Sequence, residues 1–233
     1  MEKAIQNRVG FFFIGVLLIT LLGFYPTYLV RFPTFTGFTS AHHFHGFMAL
    51  LWLLLLIGQP FLIRAKRYAL HRQAGKAGYV LMPLLMLSVF LVTRAGYYRH
   101  SQTMSEADTL AAMTNGLLAP IYLGILFTLG MVYRKNTPYH LRFLASTGLM
   151  MLGPGLGRFL VSNGLPFPVV ILLIIAMTTG VGIVWLIVDI RQKRSPFPMG
   201  VFVGIGLFSG FIQANGHSGW WQHLAGWVAM HLF

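Results

Sequence analysis

The chain has 233 residues, of which 9% are charged and 56% hydrophobic, with a mean hydropathy of +0.71. Soluble domains carry about 25% charged residues, so a soluble globular domain is excluded and a multi-pass membrane protein is expected. The net charge of +13 would suggest nucleic acid in a soluble protein; in a membrane protein the orientation of the loops explains it, and no nucleic-acid partner is implied.

A membrane span needs about 20 apolar residues. Glu2, Lys3 and Arg8 precede the first run, 9–30. That run is too long for a signal-peptide core and has no small-residue cleavage site after it, so it is expected to be a retained helix. Further apolar runs follow at 45–63, 79–98, 117–133, 141–161, 169–190 and 199–212. The expected fold is therefore all-α, a polytopic membrane helix bundle of seven transmembrane helices forming a single domain over 1–233. The last run is the shortest, about 21 Å long at 1.5 Å per residue. Pro26, Pro60, Pro83 and Pro154 are expected to kink the first, second, third and fifth spans, which membrane helices tolerate when neighbours satisfy the freed backbone.

The loops set an orientation. Lys3 and Arg8, then Arg64, Lys66, Arg67, Arg72 and Lys76, then Arg134, Lys135 and Arg142, then Arg191, Lys193 and Arg194 all fall on one side. That is thirteen of the 17 basic residues, and the positive-inside rule makes this side cytoplasmic. The N-terminus is expected inside, the C-terminus outside, and the location is a bacterial inner membrane. Arg31, Arg94, Arg99 and Arg158 are left on the outer side. Arg94 and Arg158 lie near span ends, where a charge either has a partner or snorkels to the headgroups.

Two shorter segments complete the chain. Ser105–Asp108 resembles a capping box opening a short helix in the outer loop. In the tail, 214–233, His223, Trp227 and His231 recur every four residues and Trp220 joins their face, a pattern expected of an interfacial amphipathic helix. Spans two to five, 42–160, read as a four-helix core with a weak helix-pair repeat: each pair has a basic turn carrying a histidine with a nearby arginine, followed by a helix with an internal proline. Repeats of this kind often place a site at their interface.

The nine histidines sort by side. His71 and His140 are inner, and each has an arginine near it, Arg72 and Arg142. Two imidazoles from facing helices are what a six-coordinate haem b requires, and the arginines would pair with its propionates. The plainer alternative is that both turns face lipid phosphates. His42, His43, His45, His217 and His223 are outer, with His100 and His231. Imidazole clusters suit zinc, copper or iron, so the first five are candidate ligands of an outer metal ion. Here the plainer alternative is a set of interfacial histidines holding no cofactor.

Several chemistries are excluded. There is no cysteine, which removes disulfides, thiolate metal sites and thiol catalysis. No lysine follows Lys193, so the seventh span has no Schiff-base residue. No acid lies in the middle of any span, whereas a proton-driven transporter normally needs one. Neither a P-loop nor a G-x-S-x-G motif is present.

His45–Gly46, Gln59, the run His71, Arg72, Gly75 and Tyr79, then His140, Arg142 and Arg158 occur in an order that resembles a bacterial inner-membrane family of unknown function. The likeness covers about 42–160 and implies a four-helix core with added helices. Gln59 and Arg158 from this pattern, with Arg94 from its place near a span end, form a further candidate polar set. Leu141 separates His140 from Arg142, where the family pattern has adjacent residues. A looser similarity is to the four-helix core of the cytochrome b561 proteins, whose paired-helix histidines hold haem; here the fourth span has no histidine to face His45.

Three functions are compatible with these observations. One is a haem b protein of electron transfer or haem handling, with an outer metal or quinol site at His45. Another is an assembly factor or partner subunit of a respiratory complex. The third is a permease for small anions with His45, Arg94 and Arg158 at its mouth.

Overall fold

The computed structural model describes the backbone of residues 2–233, and their side chains except at 2–7 and 168. Lys3, counted above among the inner charges, therefore lies outside the described side chains. Among the described residues the fold is all-helical. In chain order the helices are α1 (Glu2–Phe24), α2 (Ser40–Arg64), α3 (Tyr68–Gly75), α4 (Gly78–His100), α5 (Glu106–Ala112), α6 (Thr114–Val132), α7 (Thr137–Ser162), α8 (Phe167–Arg191), α9 (Phe197–Ala214) and α10 (Gly219–Leu232). Six stretches are long and apolar enough to cross a membrane: α2, α3 with α4, α5 with α6, α7, α8 from Val169, and α9. The final span expected to be short is thus among the six, while the described apolar part of α1, Arg8–Phe24, is shorter than the rest.

Local chemistry explains the ends. The first helix stops at Phe24 rather than at 30, and a short 3-10 turn, Leu29–Arg31, follows it. Pro26 therefore lies beyond the helix instead of kinking it; a proline has no N–H to donate and disfavours a helical residue before it. Pro60, Pro83, Pro120 and Pro154 do lie inside helices. α2 starts earlier than the apolar run because Thr39 caps it. The Thr39 N–H donates to Nδ1 of His42 at 3.2 Å, so this imidazole takes the place that Glu or Gln holds in a capping box. α5 is capped as expected, with Ser105 Oγ accepting from the Asp108 N–H at 3.2 Å.

The core forms where α1, α2, α4, α6 and α7 meet, around Phe13, Trp52, Leu53, Leu56, Met82, Leu85, Leu123 and Phe127. α1 and α7 approach closely because glycine faces glycine. A Cβ on Gly23 would stand 1.9 Å from the Gly155 carbonyl oxygen, and one on Gly155 would stand 2.5 Å from Cα of Thr20. Small residues let membrane helices pack backbone to backbone. A second cluster of α6, α7 and α9 is built on Leu126, Phe143, Leu149, Met199 and Phe202. α10 folds back onto α5, burying Trp221 and Ala225 against Leu110, Met113 and Ile212. The expected stripe of Trp220, His223, Trp227 and His231 lies on exposed positions of α10.

Candidate functional site

The long helices are joined by connections that range from a few residues between α6 and α7 to the stretch 25–39 between α1 and α2, and the bundle has two faces. One carries the basic turns, with His71 and His140; the other carries the N-terminus of α2, with His45.

At the His71 face four elements converge. Gln59 is one turn from the end of α2, where Pro60 follows it in the helix. His71 is on α3, a helix with no buried residue. His140 is in the first turn of α7, and its Nδ1 is 2.7 Å from the carbonyl oxygen of Gly130 on α6. A carbonyl only accepts, so Nδ1 carries a proton, and in the neutral ring the lone pair is on Nε2. The ring of His71 lies beside the main chain of Gln59 and is close enough to feel a charge on His140. Its Nδ1 is buried without a partner, and so is Nε2 of Gln59. Each buried polar atom left unpaired costs about 1–3 kcal/mol. His71 and His140 thus lie on one face within reach of each other's charge, and Gln59 lies beside His71.

Arg142 is not part of this group. Its Nε and Nη2 each donate to a carboxylate oxygen of Asp189 on α8 at 2.6 Å, Nη1 donates to the Pro138 carbonyl at 3.0 Å, and the guanidinium lies 5.7 Å from the Trp185 ring centre. Arg194 approaches the same carboxylate at 3.7 Å. Arg142 and Asp189 are 1% and 0% exposed, so this ion pair locks α7 to α8. Arg72 is exposed.

A haem between His71 and His140 finds suitable donor atoms, but the surroundings do not fit a porphyrin. The guanidinium assigned to a propionate is committed to Asp189. Nearby, Trp52 and Phe127 are buried and pack edge to face at 5.7 Å, and Phe127 meets the half-exposed ring of Tyr79 at 5.9 Å.

At the His45 face the histidines are drawn to different partners. His42 caps α2 through Thr39. His43 Nδ1 bonds the Tyr28 hydroxyl, whose pKa is pushed up by burial. His45 Nδ1 is 3.0 Å from Ser88 Oγ, and that hydroxyl donates to the Leu85 carbonyl; His45 is therefore the donor in this pair, and its Nε2 is left with a lone pair. His217 Nε2 is 2.9 Å from Asp108, and His223 is exposed on α10. Among the described residues no three His, Asp or Glu side chains are grouped to hold a metal ion. The expected outer ligand set is thus not brought together. Arg158 stacks on Phe24 at 4.5 Å and its charge reaches His45; Arg94 lies 5.7 Å from the Tyr98 ring centre. The arginines and Gln59 do not meet, since Gln59 belongs to the opposite face.

Sequence reading missed Asp189, Trp185, Gly130 and Ser88. Asp189 had a signal: it is an acid in the last turns of an otherwise apolar helix, a position where a charge needs a partner. The others are ordinary residues that only packing selects.

No family model matches the chain, and no curated protein or solved structure matches it either.

Proposed function

We propose that this multi-pass membrane protein binds the polar head of a lipid-soluble hydroxyaromatic ligand, of the quinol type, at the His71 face. The reading rests on the unpaired polar atoms of His71 and Gln59 beside a His140 ring oriented by Gly130. A phenolic hydroxyl donates to an imidazole lone pair, and a ring oxygen accepts from an amide N–H, so one head group satisfies both kinds of atom. The ligand's tail stays in lipid. α3 carries His71 and buries none of its residues, so displacing it to admit a ligand sacrifices little apolar contact. The role of the chain's own residues is to bind and orient the head group, with an imidazole accepting the hydroxyl proton's hydrogen bond. The density of basic residues at this face supports a cytoplasmic placement, in a bacterial inner membrane.

The test is anaerobic titration of the purified protein in lipid nanodiscs with a decyl-tailed benzoquinol, read as thermal stabilisation against decylbenzene as control. Saturable stabilisation that Gln59→Leu abolishes is expected; at a hundredfold excess over Kd it amounts to about 2.7 kcal/mol. No stabilisation beyond the control, or the same stabilisation in Gln59→Leu, overturns the reading. So does a stoichiometric haem spectrum that responds to dithionite, which would assign the two imidazoles to iron.

A further inference from the structure

At the opposite face, two neighbouring cavities carry charges of opposite sign. The first, about 200 Å³, lies between α4, α5 and α6 and is lined by Thr93, Gly96, Tyr97, Arg99, His100 and Thr109, among others. Its charged wall is Arg99, whose field also reaches His42, His100 and Arg158. No carboxylate lines it. Thr93 and Thr109 donate their hydroxyls to main-chain carbonyls, which leaves the guanidinium, the His100 imidazole and the Tyr97 hydroxyl as side-chain donors for an anion.

The second cavity, about 300 Å³, lies under α10 and is lined by Tyr97, Glu106, Leu110, Gly226, Ala229 and Met230. It is apolar except for Glu106 and the Tyr97 hydroxyl. α10 is fixed over it by Trp221 Nε1 donating to the Leu110 carbonyl at 2.9 Å and Gln222 Nε2 donating to the Ala107 carbonyl at 3.0 Å. At its end, the Tyr98 hydroxyl donates to the Phe233 carbonyl. The two cavities share Tyr97 as a wall, and Glu106 forms no ion pair with Arg99 among the described residues.

We propose that these adjoining cavities form one site for a zwitterion that joins a phosphate to a primary ammonium, as phosphoethanolamine does. The phosphate sits against Arg99 and His100, the ammonium against Glu106, and apolar chain atoms along Leu110 and Met230. A phosphate takes charge-assisted bonds from a guanidinium, and among the described residues no acid forms an ion pair with Arg99. The ammonium distinguishes this ligand from a purely anionic one, because a phosphate alone leaves Glu106 uncompensated and adds a like charge beside it. The same head group occurs on phosphatidylethanolamine and as a free soluble molecule.

The experiment is native mass spectrometry of delipidated full-length protein with equimolar phosphatidylethanolamine and phosphatidylglycerol, for the wild type, Glu106→Gln and Arg99→Gln. Thermal shifts with free phosphoethanolamine are measured in parallel. The expected result is a severalfold preference for phosphatidylethanolamine, lost in Glu106→Gln, with retention of both lipids reduced in Arg99→Gln. A matching thermal shift with free phosphoethanolamine also supports the site and makes its ligand the soluble molecule. Equal retention of the two lipids with no shift by phosphoethanolamine overturns the proposal, as does a preference that survives Glu106→Gln. Both positions are exposed, so neither substitution removes core packing.

Discussion

Arg142 and Asp189 form a two-pronged ion pair inside the bundle, with two N–O distances of 2.6 Å and almost no exposure of either side chain. The pair joins helices whose sequence positions are 47 apart, and it replaces a propionate role for Arg142 with a structural one.

Removing one partner of this pair is therefore severe. Asp189→Ala leaves a buried guanidinium without its main counter-charge, and breaking a buried pair costs about 3–5 kcal/mol. Replacing both, as Arg142→Met with Asp189→Leu, removes the charges together and should recover most of that loss. Thermal unfolding of the two singles and the double in one detergent checks this; a double variant no more stable than the singles counts against it.

Gln59→Leu is expected to act in the opposite direction. The wild-type amide nitrogen is buried and unpaired, so its replacement by a side chain of similar size should raise the stability of the ligand-free protein by about 1–3 kcal/mol. The measurement is the melting temperature without added ligand, and a fall would mean that the amide already has a partner.

The α1–α7 contact predicts a sharp contrast between two glycines of one helix. Gly23→Ala places a methyl group against the Gly155 carbonyl and forces the helices apart, at the upper end of the roughly 1–3 kcal/mol range for overpacking. Gly15 has nothing within 4 Å of its would-be Cβ, so Gly15→Ala should gain about 0.5–1 kcal/mol through helix propensity. Paired melting curves of the two variants test this.

Two tryptophans of α10 should likewise behave differently. Trp221 is 1% exposed and Trp227 54%. Trp221→Ala should cost about 3–5 kcal/mol of local packing and release α10, seen as faster amide exchange across 219–232. Trp227→Ala should leave that exchange unchanged.

The inner site was half legible. His71 and His140 could be paired from their matching turns, because both turns return the chain to the same face. Gln59 came only through a family resemblance, since nothing in the apolar run around it says which way it points. The outer histidines suggested one ligand set, yet Thr39, Tyr28 and Ser88 take one imidazole each. Spacing along one helix reveals which residues are neighbours in sequence, and so the Thr39–His42 cap, whereas the partners of His43 and His45 come from other segments.

The sequence by itself determined the class of molecule and the approximate position of most long helices. Apolar run length must match the bilayer, and charge segregates between loops, so both signals are local and additive along the chain. Tertiary structure alone decided that Arg142 belongs to Asp189, that Gln59 lies beside His71, and that α10 closes a cavity beside Glu106. Each of these depends on the rotation of one helix about its axis and its depth relative to another. Those are settled by close packing at positions such as Gly23 and Gly155, where a single methyl group would change the answer.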